Sequence, residues 1–233
     1  MSGALSMKHK NKGQTGKGSQ QIKAFAGKDR IKMIIKTERL ILRLWKESDA
    51  ADLFAYAVNE NVGPPAGWKP HENISESLSI IRELFIPNKA WAITDRENGK
   101  VIGSIGLEND KRRPGLASKE LGYSLAEDYW GRGIATEAAK AVIQFGFRVM
   151  QLDMISVCTG NANKRSQRII EKCGFVYEGV CRRCYRIYDG TVRDSRCYSL
   201  FREEWENQKG SASEASDQAL LQIKPNPRHQ EIK

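Results

Sequence analysis

Residues able to do chemistry concentrate in Tyr129-Trp130-Gly131-Arg132-Gly133-Ile134-Ala135-Thr136-Glu137-Ala138. Gly131 and Gly133 let the backbone approach an anion with no Cβ in the way. Behind them Ala135, Ala138, Ala139, Val142, Ile143, Gly146, Val149 and Met150 recur at helical spacing. A helix start offers unpaired N–H groups and the positive end of its dipole, so this turn predicts a phosphate cradle. The segment from Gly131 to Thr136 lacks the last glycine of a dinucleotide fingerprint, although Asp153 lies near the distance of a ribose-binding acid. No Gly-Lys-Ser/Thr follows, which excludes a Walker A loop. Nucleophilic catalysis lacks its partners: within residues 34–207 only His71 is a histidine, and no G-x-S-x-G elbow occurs. Cys181-Arg182-Arg183-Cys184 has no second Cys or His pair at zinc spacing. The sequence therefore implies no metal, and the cysteines, Cys158 included, read as ordinary small side chains.

The elements that must position this turn are legible from pattern. Glu120-Leu121-Gly122-Tyr123-Ser124-Leu125 alternates as a half-buried strand and runs straight into it. Upstream, residues 34–44 read as one extended segment with Leu40, Leu42 and Leu44 in alternation, and Ser48 as the N-cap of a helix carrying Leu53, Phe54 and Ala57. A turn-rich stretch from Asn59 to Asn73 precedes a helix from Ser75 to Ile86, which Pro87 stops. Strands at 90–94 and 101–107 flank an Asn98-Gly99 turn, a meander rather than the repeated βαβ units of a dinucleotide fold. Beyond the long helix come a strand at 152–159, a helix from Asn163 to Lys172 ended at Gly174, and two strands around Asp189-Gly190. Arg182, Arg183 and Arg186 read as an exposed strand face. This order predicts an α+β domain with a mixed sheet of about six to seven strands and about four helices.

Charge separates body from ends. The chain carries +10, of which residues 1–33 supply +7 and residues 208–233 supply +1. Both ends lack apolar periodicity, so they read as a disordered basic N-terminal arm (1–33) and a disordered C-terminal tail (208–233) around a folded domain at 34–207. The arm admits two readings: an electrostatic contact to nucleic acid or the ribosome, and a plain solvated tail. It has no continuous apolar h-region, and no stretch is long enough to span a membrane. An odd number of cysteines without an export signal predicts reduced thiols and a cytoplasmic protein. The oligomeric state stays open.

An ordered set of motifs carries a resemblance. Thr37-Glu38-Arg39-Leu40 with Leu42-Arg43, Gly103-Ser104-Ile105-Gly106, Glu120-Leu121-Gly122-Tyr123 and the glycine turn come first. Asn163-Lys164-Arg165-Ser166, Glu171-Lys172-Cys173-Gly174-Phe175 and Tyr198-Ser199-Leu200-Phe201-Arg202-Glu203-Glu204-Trp205 follow. Together they make residues 34–207 resemble the Gcn5-related N-acetyltransferase (GNAT) superfamily, in its Rim-type, ribosomal-protein-alanine branch. The family's phosphate motif usually begins with Gln or Arg; Trp130 stands there instead.

The resemblance implies the acyl-CoA N-acyltransferase fold and acetyl-CoA as cosubstrate. It places Arg132, Gly133, Ile134, Ala135 and Thr136 around the pyrophosphate, with Tyr123 and Leu125 bordering the coenzyme. The Leu125 N–H would face the thioester oxygen, where negative charge collects. Asn163 would hydrogen-bond the pantetheine arm while also serving as an N-cap, and Ser166 would sit near the sulfur. Ile170 occupies the position where another branch keeps a tyrosine acid. The attacking amine must be neutral, and reference pKa values of ~10.4 for lysine and ~8 for an α-amine make a base useful. Family enzymes often keep one on this strand, so Glu120 is the candidate base. Trp68 and His71, in the 59–73 loop, would border the acceptor. The expected reaction is direct transfer in a ternary complex to a protein N-terminal amine or a small amine. The rival reading is a ribosome- or RNA-associated binding protein that uses the arm and a non-catalytic CoA-binding fold.

Overall fold

The computed structural model describes residues 33–209. The arm at 1–33 and the tail at 208–233 therefore lie outside the described residues, apart from Met33, Gln208 and Lys209. Among the described residues no helix is long and apolar enough to cross a membrane.

Eight strands form one sheet in the order β1-β2-β3-β4-β5-β6-β8-β7. They are β1 (Ile35–Lys36), β2 (Leu40–Leu44), β3 (Trp91–Asp95), β4 (Val101–Asn109), β5 (Ser118–Leu125), β6 (Met154–Gly160), β7 (Val176–Arg186) and β8 (Val192–Phe201). The helices are α1 (Ala50–Ala57), α2 (Gly63–Ala66), α3 (Ile74–Ile80), α4 (Ile134–Arg148), α5 (Lys164–Lys172) and α6 (Arg202–Lys209). Every strand pair is antiparallel except β5 with β6.

Several elements differ from the sequence reading for local reasons. The extended segment at 34–44 is a hairpin, because Thr37 folds the chain back: its N–H donates to the Leu40 carbonyl, and its Oγ1 accepts from the Leu40 N–H. That splits one strand into two and raises the strand count. Ser48 is no N-cap. A 3-10 turn at Glu47–Asp49 leads into α1, and Asp49 turns its carboxylate back to the Lys46 N–H and to Arg43. The helix read as Ser75–Ile86 begins at Ile74 under an Asn73 cap and continues from α3 into a π-turn at Ile81–Phe85. The extra helices are the single turn of α2 inside the 59–73 loop and the closing α6.

Apolar residues on the two faces of the sheet build two cores. α4 and Ile170 of α5 pack on one face with Leu42, Ile93, Ile105, Leu121, Leu125, Ile155 and Val157. α1 and Ile81 pack on the other with Ala92 and Val101. α4 lies close to the sheet because small residues face it: a Cβ on Gly146 would come within 2.9 Å of the Ile155 side chain.

Candidate active site

The site begins where the sheet comes apart. β5 and β6 are parallel partners only from Ser118↔Met154 to Glu120↔Ser156. Past Glu120, β5 stays on β4 through Leu125↔Gly103, while β6 follows β8 to Gly160. The wedge between them is unzipped sheet. Next in the chain, Ala126 donates its N–H to Ile102 on β4. Successive backbone amides alternate in direction along a strand, so the N–H and C=O groups of Tyr123 and Leu125 point into the wedge. The Leu125 carbonyl accepts from Trp130 Nε1 at 2.9 Å on that side.

That bond gives a physical role to the residue that departs from the family motif. Trp130 ties the glycine turn to the edge of the wedge, and the Arg165 guanidinium covers its ring at 4.0 Å. Gly131 and Gly133 have φ values of 74° and 77°, a left-handed conformation that side-chain-bearing residues rarely adopt. α4 starts at once after Gly133 with no side-chain cap. Its first amides are left for a guest, as an anion cradle requires.

The cradle is held from a distance. Glu137 in the first turn of α4 accepts from Thr37 Oγ1 at 2.5 Å, the Arg39 N–H at 3.0 Å and Arg39 Nε at 2.7 Å. Arg39 Nη1 also donates to the Arg132 carbonyl at 2.9 Å. A carboxylate at this helix end would repel a phosphate; Arg39 neutralises it and shapes the turn. Burial pushes the Glu137 carboxyl up, but Thr37 and Arg39 outweigh it and hold the group below the usual carboxylate range. The Thr37-Glu38-Arg39-Leu40 motif thus clamps the glycine turn, a contact that its distance along the chain did not disclose.

Two cavities meet at the wedge. One, of about 420 Å³, runs along the cradle past Leu125, Gly133, Ile134, Ala135 and Thr136. The other, of about 660 Å³, lies beyond it and is bordered by Glu120, Trp68, His71 and Cys158. Tyr123, Ser124, Asn163 and Ser166 line both. Arg132 is the exception among the residues singled out: it borders neither cavity, and its guanidinium lies over the Tyr129 ring at 5.1 Å. Sequence reasoning missed Arg165, Arg168 and Lys172, basic residues of α5 that border the first cavity. Their spacing on one helix was the available signal.

At the junction Tyr123 Oη is 2.9 Å from Ser166 Oγ. Burial pushes the Tyr123 phenol well above its ordinary pKa, so it stays protonated at neutral pH. Asn163 caps α5, its Oδ1 accepting from the Ser166 N–H at 3.1 Å. Ile170 is buried in the core and offers no acid.

Glu120 is half-buried at the mouth of the wedge, directly across from Glu108 on β4. Burial raises its pKa, the Arg112 guanidinium at 3.3 Å draws it down, and Asp110 and Glu108 raise it again, with a net upward shift. Its ionic partner is Arg112, from the loop after β4. Trp68 and His71 pack together with ring centroids 5.4 Å apart. His71 is buried, bonds Ser77 Oγ through Nδ1 at 2.8 Å, and has its pKa lowered by burial, so it is a neutral anchor for the loop. Among the described residues no group of His, Cys, Asp and Glu could hold a metal ion.

Comparison with known proteins agrees with this geometry. The acetyltransferase (GNAT) domain family matches residues 39–176. An uncharacterized N-acetyltransferase of Bacillus subtilis, YoaA, is 32% identical over 172 residues, 72% of this chain and 96% of the relative. The [ribosomal protein uS5]-alanine N-acetyltransferase of Escherichia coli is 29% identical over 185 residues, 75% of this chain and 93% of the relative. The crystal structure of the ribosomal-protein-S5-alanine acetyltransferase from Vibrio fischeri superposes with a TM-score of 0.59 at 26% identity, covering 74% of this chain and 98% of that one.

Proposed function

The chain belongs to the acetyltransferase (GNAT) domain family, and from that premise we propose that it transfers acetyl from acetyl-CoA to a primary amine, foremost the N-terminus of a protein. The observation that carries this reading is the meeting of two cavities at Tyr123, Ser124, Asn163 and Ser166 under the open wedge. Such a junction brings a donor and an acceptor together without a covalent enzyme intermediate.

The residues present fit the coenzyme. The uncapped start of α4 and the left-handed glycines suit a pyrophosphate, and Arg165, Arg168 and Lys172 suit further phosphate. When bound, acetyl-CoA supplies an activated acyl group and a thiolate leaving group. Amides of Tyr123 and Leu125 that face the wedge extend hydrogen bonds to an extended chain, as a missing strand would. The Leu125 N–H is the preplaced donor for charge on the acyl oxygen. Asn163 keeps Oδ1 on its own helix and turns Nδ2 to the pantetheine amides. Ser166 Oγ, hydrogen-bonded to the protonated Tyr123, holds a proton where the departing sulfur needs one.

Glu120 removes the proton of the amine, directly or through a water. A carboxylate whose pKa is raised by burial matches this task better than an ordinary one, because base strength rises with pKa. Trp68 supplies an apolar wall for the acceptor, and His71 fixes the loop that carries it. The names of the ribosomal-protein relatives favour a protein N-terminus as acceptor. The test is thiol release from acetyl-CoA against alanine- and serine-initiated peptides of ribosomal proteins and a panel of small amines. Release with the peptides is expected. No release with any acceptor, together with no thermal shift on adding acetyl-CoA, would sink the proposal.

A further inference from the structure

Cys158, in the wall of the acceptor-side cavity, belongs to a thiol pair that the reaction above does not use. Cys158 on β6 and Cys197 on β8 are direct cross-strand partners, with their sulfurs 3.0 Å apart. The hydrogen-bond phase of this ladder follows from one bond: Arg202 donates its N–H to Asp153, which makes Met154↔Phe201 a non-hydrogen-bonded pair. Pairs alternate, so Cys158↔Cys197 is also non-hydrogen-bonded. Opposed Cα atoms in such pairs lie ~4.5 Å apart, within the range that a disulfide spans. The side chains share one face, so no strand need move for the sulfurs to join.

The pair is reachable rather than sealed in the core. Both cysteines are only partly buried, and Cys158 borders the open cavity. Arg112 Nη1 lies 2.6 Å from Cys158 Sγ and 3.7 Å from Cys197 Sγ. Burial and the Cys197 neighbour push the Cys158 thiol up on balance, so attack draws on the fraction of thiolate that the adjacent Arg112 guanidinium favours. The same guanidinium holds Glu120 at 3.3 Å, which joins the thiol pair to the acceptor site.

We propose that Cys158 and Cys197 are a redox-modification site, closing reversibly into a cross-strand disulfide when a low-molecular-weight disulfide enters the acceptor cavity. Cys158 thiolate attacks the small disulfide, forming a mixed disulfide and expelling one small thiolate. Cys197 then attacks the Cys158 sulfur and expels the second. The protein thiols are oxidised, the reagent is reduced to two thiols, and the two protein protons end on them. Closure removes both thiol partners from Arg112 beside Glu120.

The full-length chain carrying Cys181→Ser and Cys184→Ser, which takes the exposed pair out of competition, is incubated with oxidised glutathione at pH 8. Remaining thiols are alkylated, and the protein is digested and mapped by mass spectrometry. The expected product links the Cys158 and Cys197 peptides, leaves Cys173 alkylated and reverts fully with dithiothreitol. Free thiols at both positions, glutathione retained on either one, or a bridge to Cys173 would overturn the proposal. In the wild-type chain the same linkage is expected, and a Cys181–Cys197 bridge in its place would equally overturn it. The readout is covalent, so it stands or fails independently of the acetyl-transfer reading.

Discussion

At the scale of single residues, the electrostatics around Glu120 make the sharpest predictions. Glu120→Gln keeps the shape and removes the proposed base, so kcat should fall by about 10²- to 10⁴-fold with the KM for acetyl-CoA unchanged. A carboxylate works as a base only above its pKa, so wild-type activity should decline as pH falls through the raised Glu120 value. The glutamine variant should lose that acid limb. Arg112→Ala removes the charge that draws Glu120 down and leaves burial, Asp110 and Glu108 to push it up. Its acid limb should therefore move to higher pH, read from a pH profile of kcat/KM; a shift to lower pH would remove Arg112 from this account. Sequence alone placed Glu120 on the strand that becomes β5. It could not supply Arg112, because that contact depends on how the loop after β4 folds back.

At the scale of elements, the cradle depends on backbone shape and on a clamp. Gly133→Val forces a branched side chain into a left-handed conformation at a cost of about 1–2 kcal/mol. It should abolish the thermal shift given by acetyl-CoA while leaving a folded protein by circular dichroism. Arg39→Ala tests the clamp. Arg39 is 45% exposed on its side chain, so its pairing with Glu137 adds little stability, on the order of 1 kcal/mol or less. Loss of the neutralising charge at the helix start should instead weaken acetyl-CoA binding, a rise in Kd by calorimetry with little change in Tm. The long helix, the glycine turn and the meander were legible because their signals are local: 3.6-residue spacing, paired glycines, an Asn-Gly turn. The hairpin of β1 and β2 was not, since Thr37 bends the chain through its own hydroxyl and alternation runs unbroken across the bend. The roles of Thr37 and Arg39 escaped for a different reason. They reach residues 98 and 100 positions away, and no local pattern records such a contact.

At the scale of the whole molecule, the net charge of +10 resides mainly in residues 1–33, and the body is close to neutral. Removing residues 1–32 should therefore leave kcat and KM for small amines unchanged in the thiol-release assay. A large loss would make the arm part of the acceptor site. The order of strands has a consequence of its own. β8 lies between β6 and β7 although it is made after both. Chain order places both β6 and β7 ahead of the strand that joins them, and β7 has no other neighbour in the sheet. Tyr185, Arg193 and Ser195, which wall the acceptor cavity, take their places only when β8 slides in. Any chain that stops short of β8 therefore leaves β7 unpaired and this side of the proposed acceptor cavity unbuilt, so the last strand of the sheet is also the one that completes the site.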